Sequence, residues 1–152
     1  MIKNYDIDFR LAQLSDSRLL FNWFNSKNEL RFKLNSTKFV QYLKHKFWLK
    51  KKIKSSSCSI WIIEKKGKAV GQVRVEKEKK SINTDIFVDK NYRNFGVGNK
   101  ALIFAIKKSK EKWNKKNITV YISKYNYGSI KLFKSVGFKL KKLERSFFIF
   151  HL

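Results

Sequence analysis

The residues best suited to chemistry lie in the run Val88-Asp89-Lys90-Asn91-Tyr92-Arg93-Asn94-Phe95-Gly96-Val97-Gly98-Asn99-Lys100. An apolar, strand-like segment ends at Val88, and helical periodicity begins after the glycines. Gly96 and Gly98 let the backbone turn tightly and approach a ligand with no Cβ in the way. The free N–H groups of a first helical turn, reinforced by the helix dipole, form an anion site suited to a pyrophosphate. Arg93 and Lys100 add positive charge. A plain strand-to-helix turn would use the same two glycines, so their spacing alone does not decide.

Two carboxylates stand on strands near this loop, Glu76 and Asp85. Either suits a general base, and either also suits a surface ion pair with one of many lysines. Of the two, Asp85 lies on the strand that leads into the loop. Cys58 is the single cysteine, which excludes an intramolecular disulfide. With only two His besides, a Cys/His zinc site is not expected, and no metal is. Cys58 reads as a small core residue.

The elements that must position these residues follow from periodicity. Ile7–Leu11 alternates as a first strand. Ser15 and Asp16 offer caps for a short helix carrying Leu19, Leu20, Trp23 and Phe24. A second helix is predicted from near Ser36, with Phe39, Val40, Leu43 and Phe47 on one face. Residues 59–63 form a buried strand, and the turn at Lys66-Gly67 makes a hairpin with 69–76. Ile82, Thr84, Ile86 and Val88 alternate in a further strand before the loop. Ala101, Leu102, Ala105, Ile106 and Trp113 form the stripe of a long helix. A strand with Ile118, Val120 and Ile122, a helix over 129–136 ended by Gly137, and strands at 138–140 and 147–152 complete the chain. The order β-α-α-β-β-β-α-β-α-β-β suits a mixed sheet with helices on both faces.

With 152 residues, 43% of them hydrophobic, the chain is expected to form one domain over 1–152 with a sizeable core. No apolar run reaches the ~20 residues of a membrane span, and Met1-Ile2-Lys3-Asn4 opens no signal-peptide core, so a cytoplasmic protein is expected. The net charge is +25, from 36 Lys+Arg against 11 Asp+Glu. Only six of the basic residues are Arg, and the lysines spread along the whole chain among abundant Asn, Ile and Phe. That pattern reads mainly as compositional bias, although a basic surface also speeds capture of an anion.

Competing phosphate loops fit less well. Gly96-x-Gly98-x-x-Ala101 matches a dinucleotide-binding pattern, but no acidic residue follows the next strand, which runs Ile122-Ser123-Lys124. No Gly-Lys-Ser/Thr occurs, so a P-loop is excluded. Arg93-x-x-Gly96-x-Gly98 after the strand ending at Val88 resembles the coenzyme A pyrophosphate loop of the GNAT acyltransferase superfamily. Asn126-x-x-Ser129-x-x-x-Phe133-x-x-x-Gly137-Phe138 resembles that superfamily's second signature, in order and at the right spacing.

The resemblance implies an α/β fold with a mixed, mostly antiparallel central sheet, helices on both faces and a splay between the fourth and fifth strands. It implies acetyl-CoA as acyl donor. The pantetheine arm would pair with the exposed strand edge at Phe87 and Val88 like an added strand. Arg93, Asn94, Phe95, Gly96, Val97, Gly98, Asn99 and Lys100 would hold the pyrophosphate, with Asn126, Ser129 and Phe133 along the arm and thioester. The amine would attack directly in a ternary complex, with Asp85 as base. The superfamily often places Tyr, the acid for the leaving thiolate, seven residues after the Asn. Phe133 stands there, so Tyr125, Tyr127 or water would have to serve.

The N-terminal half, with Leu19-Leu20-Phe21-Asn22-Trp23-Phe24-Asn25, Asn28-Glu29-Leu30-Arg31 and Val70-Gly71-Gln72-Val73-Arg74, resembles enzymes that N-acetylate nucleotide-linked 4-amino-4,6-dideoxy sugars of the pseudaminic and legionaminic acid type. On that resemblance Trp23, Asn25, Arg31 and Arg74 would bind the acceptor; Phe24 stands where the branch usually has Arg. Trp23 also suits core packing. A protein N-terminal acetyltransferase shares the same loop. A charge-driven nucleic-acid module is the alternative from another class, opposed by the diffuse lysines and the lack of a nucleic-acid motif. The expected partner is therefore a small-molecule amine, with no specific nucleic acid and no membrane.

Overall fold

The computed structural model describes residues 6–26, 41–114 and 117–152. Its strands are β1 (Ile7–Leu11), β2 (Cys58–Lys65), β3 (Lys68–Lys77), β4 (Ile82–Val88), β5 (Ile118–Ser123), β6 (Lys139–Leu143) and β7 (Phe147–His151). Its helices are α1 (Ser17–Phe24), α2 (Tyr42–Lys54), α3 (Val97–Trp113) and α4 (Tyr127–Ser135). The strands form one sheet in the order β1-β2-β3-β4-β5-β7-β6. Neighbours pair antiparallel except β4 and β5, which run parallel.

The pleat of β2 shows how the layers form. Cys58, Ile60 and Ile62 pack with Leu20 of α1 and Leu49 of α2. Trp61 and Ile63 point the other way, into a larger core with Ala101, Leu102 and Ala105 of α3 and Phe133 of α4. Continuous apolar sequence in β2 thus reflects a strand buried on both faces. No described helix is long and apolar enough to cross a membrane.

Helix α2 departs from its predicted face. Leu43 and Phe47 are exposed, and the buried residues are His45 and Leu49, with Trp48 packed beside them. Lys51 Nζ lies 4.6 Å from the Phe47 ring centroid, so this aromatic carries a cation on the outside instead of meeting the sheet. Ser36, Phe39 and Val40, which the sequence placed on that helix, lie outside the described residues.

One ion-pair cluster ties β1 to the turn before α1. Arg10 donates to both carboxylate oxygens of Asp16 at 2.8 Å and to Glu64 at 2.7 Å, while Gln13 N–H donates to Asp16 at 2.8 Å. Those Arg10 hydrogen bonds, ahead of the opposing effect of burial, hold the Asp16 carboxyl below its ordinary 3.8. Its contribution to stability is therefore fully present above that pH and is lost as pH falls through the lower folded value. Asp16→Asn is expected to lower unfolding free energy at neutral pH by about 1.5–3 kcal/mol, the usual range for hydrogen bonds to charged groups. Urea titrations at neutral and acidic pH check this, because the gap between the proteins should narrow in acid.

Candidate active site

The pairing of β4 with β5 covers only Ile82↔Ile118 and Asn83↔Thr119. Beyond it the two strands part, while β4 stays paired to β3 as far as Val88 and β5 to β7 as far as Ser123. Among the described residues, the β4 edge facing β5 thus has no strand beside it from Thr84 onward. Into this gap opens a cavity of about 530 Å³, walled by β4, β5, α4 and the loop before α3.

The loop is shaped by its backbone. Arg93 Nε donates to the carbonyl of Val88 at 2.7 Å, holding the chain against the end of β4. Asn94 and Gly96 both adopt left-handed conformations, φ 63° and 78°, and Gly96 is the N-cap of α3. The first helical hydrogen bond runs from Lys100 N–H to Gly96 O at 3.1 Å. The N–H groups of Val97, Gly98 and Asn99 therefore lack intrahelical acceptors, and no acidic residue sits in the first turn. This is the positive end of a 17-residue helix.

Helix α4 forms the facing wall. Asn126 Oδ1 accepts from Ser129 N–H at 3.2 Å and so caps α4. Asn99 Nδ2 donates to Ser135 Oγ at 3.0 Å, joining the start of α3 to the end of α4. A Cβ at Gly98 would stand 2.9 Å from a Leu132 methyl. The two helices are thus in contact where the loop turns into α3.

Of the residues the sequence put in the cofactor site, Phe87, Val88, Arg93, Asn94, Gly96, Gly98, Asn99, Asn126, Ser129 and Phe133 meet on the cavity wall. Phe95, Val97 and Lys100 do not. Phe95 is exposed with Lys65 Nζ 5.6 Å from its ring, and Val97 is 1% exposed, its side chain in the core. Phe133 is 2% exposed and meets Phe138 edge-on at 5.0 Å, so it serves the core as well as the wall. Tyr125 and Tyr127 are 71% and 74% exposed and lie off the wall.

On the other side of β4, Asp85 is on the wall, with Oδ2 accepting from Gln72 Nε2 at 3.0 Å and lying 3.9 Å from Arg74. The Arg74 guanidinium lies 5.2 Å from the Trp48 ring. Trp23 packs on Phe87 with ring centroids 5.2 Å apart and is itself off the wall. Asn25 ends α1, its amide donating to Phe21 O at 3.3 Å, and lies off the wall. Arg31 lies outside the described residues. Glu76 forms an ion pair with Lys52 and is also off the wall. Cys58 is buried, and desolvation first, with Glu76 adding, pushes its thiol up and away from a reactive thiolate.

Sequence reasoning assigned no role to several wall residues, Leu132 and Tyr121 among them, nor to Gly71, which lies off the wall and acts through β4. Gly71 pairs with Val88, and a Cβ there would fall 2.3 Å from the Phe87 carbonyl, so a bare backbone lets β4 lie where it does. Strand register would have pointed to Tyr121; the other two are set by packing between elements.

A parted pair of parallel strands with a helix N-terminus at its mouth is the arrangement that the sequence resemblance implied. The sequence model of the Acetyltransferase (GNAT) family matches residues 20–138. The chain belongs to this family. As a GNAT protein it is an acetyl-CoA-dependent N-acetyltransferase by class. No curated protein matches the sequence. Among solved structures, a domain from Methanocaldococcus jannaschii superposes with TM-score 0.86 at 22% identity, covering 98% of this chain and 99% of that one. Spermidine N-acetyltransferase from Vibrio cholerae, in complex with CoA and spermine, gives 0.81 at 15% identity over 95% and 92%. The Campylobacter jejuni N-acetyltransferase PseH gives 0.73 at 20% identity over 96% of both chains. At these identities the likeness is one of fold.

Proposed function

We propose that this GNAT enzyme, a single cytoplasmic domain, transfers acetyl from acetyl-CoA to a primary amine carried by an anionic acceptor, a nucleotide-linked amino-deoxy sugar. The parting of β4 from β5 beside three open α3 N–H groups carries the donor half of this reading. An extended arm adds along the free β4 edge at Phe87 and Val88, and the pyrophosphate rests on the N–H groups of Val97, Gly98 and Asn99. Asn126 uses Oδ1 for its cap, which leaves its amide donors for the arm. Only the backbone of Val97 faces the ligand.

The acceptor half rests on charge. A chain of net +25 attracts a diphosphate and repels a polyamine. Arg74 stands beside Asp85, so a forked donor for a phosphate adjoins a carboxylate that takes the amine's proton. The cationic surround also lowers the amine's pKa, favouring the neutral nucleophile.

The test is thiol release from acetyl-CoA with a panel of nucleotide amino sugars, polyamines and peptides. Turnover of a sugar is expected. Turnover of peptides and no sugar moves the assignment to protein N-termini, and turnover of polyamines alone ends the anionic-acceptor reading. With a sugar substrate, Arg74→Lys is expected to raise its KM about tenfold, the worth of a lost charged hydrogen bond, with KM for acetyl-CoA unchanged.

A further inference from the structure

Phe133 has no proton to give to the sulfur leaving an acyl donor, and a positioned acid there would speed its departure. Among the described residues the cavity wall carries four hydroxyls, on Tyr121, Ser123, Ser129 and Ser135. Ser135 Oγ already donates to Leu132 O at 2.6 Å. The serines are also weak acids, whereas phenols titrate near ~10 and thiols near ~8.5, which makes a phenol the matched donor.

The register places this phenol. Ile82↔Ile118 and Asn83↔Thr119 are the last pairs before the strands part. Continuing the count sets Asp85 opposite Tyr121. In parallel neighbours the alternation is shared, so both point to the face of Asn83 and Thr119. One lip of the gap thus bears a carboxylate and the other a phenol, at the same height. The Tyr121 ring meets Phe147 of β7 edge-on at 6.0 Å, which braces it from behind.

We propose that Tyr121 is the general acid of the transfer, working across the gap from Asp85. This rests on the N-acetyltransferase reading above. The amine nitrogen bonds to the acyl carbon and gives its proton to Asp85. The carbon–sulfur bond breaks, and sulfur takes the Tyr121 hydroxyl proton. The phenolate is reprotonated by Asp85 or by solvent, so amine and thioester become amide and thiol with no other reactant.

Among the described residues, the charged and titratable groups on the elements around Tyr121 include Asp85 on β4 with Arg74 beside it, Arg93 on the loop, Lys131 on α4, His151 on β7 opposite Thr119, and Lys142 of β6, two strands away across Ile149 and paired with Glu144. Lys131 is the rival proton donor on the wall. It lies one turn before Ser135, whose hydroxyl is bonded to Asn99 at the start of α3, and so faces the pyrophosphate end.

Thiol release is followed across roughly pH 6 to 10, with the amine that turns over in the panel above and with water alone as acceptor. Binding of acetyl-CoA is measured separately by calorimetry. Failure of the wild type to turn over a sugar ends the acceptor reading only, since the reaction with water still reports on Tyr121. Failure to bind acetyl-CoA ends both. Tyr121→Phe is expected to lower kcat about a hundredfold, leave acetyl-CoA affinity within twofold, and remove the alkaline limb of the profile. 3-Fluorotyrosine at position 121 should restore rate and move that limb to lower pH. A kcat within threefold of wild type in Tyr121→Phe, equal losses in kcat and affinity, or an alkaline limb abolished by Lys131→Met would each overturn the proposal.

Discussion

Gly98→Val is expected to weaken acetyl-CoA binding about a hundredfold while the domain still folds. Gly98 is the second residue of α3, on the cavity wall, between two of the open N–H donors. A side chain here stands between those donors and a pyrophosphate, and the loss of two charged hydrogen bonds corresponds to roughly 3 kcal/mol. Folding should survive because the Cβ would meet only the tip of Leu132, a flexible side chain, at 2.9 Å. That contact also offers a rival cause, since a displaced Leu132 would itself enter the cavity. Pairing Gly98→Val with Leu132→Ala separates the two. Calorimetry on the folded proteins should find the double variant within threefold of Gly98→Val. Recovery of wild-type affinity would make Leu132 the obstruction, and unchanged affinity in Gly98→Val would remove the pyrophosphate assignment. Gly96 behaves differently: nothing lies within 4 Å of a Cβ there, and its constraint is the positive φ.

What the sequence disclosed, and what it withheld, follows from the range of the interactions. The alternation of Ile82, Thr84, Ile86 and Val88 is a local consequence of the pleat, and β4 covers those residues. The start of α3 was legible because two glycines and a helical stripe adjoin it. The face of α2 was not. Phe47 has helical spacing from Leu43, but spacing cannot say whether an aromatic turns toward the sheet or, as here, toward Lys51. Ten of the thirteen residues expected around the cofactor gather at one cavity, because motif order fixes which elements carry them. Val97 shares the loop, yet its side chain fills the core, since helix phase and not proximity in sequence sets its direction. The place of Tyr121 is not legible in the sequence for a different reason. In isolation it is the outward residue of an alternating strand, and only the register between β4 and β5 sets it opposite Asp85.

Asp85→Asn should lower kcat by at least about a hundredfold with acetyl-CoA affinity unchanged. Of the two carboxylates considered for the base, Glu76 is occupied by Lys52 and pairs across the sheet from Cys58, away from the cavity. Asp85 stands on the cavity wall, and its side chain is 54% exposed, so water can carry a proton away. Gln72 holds Oδ2 at 3.0 Å and fixes the carboxylate's orientation, leaving Oδ1 for the incoming amine. Asparagine keeps this shape and can still accept from Gln72, but it cannot take a proton. The loss should therefore appear in kcat, and raising the pH should recover part of the rate as more of the amine arrives already neutral. Gln72→Ala should give a smaller fall, because it frees the carboxylate without removing it. If Asp85→Asn keeps full activity across the pH range, the proton leaves by solvent and the carboxylate is only a surface partner of Arg74.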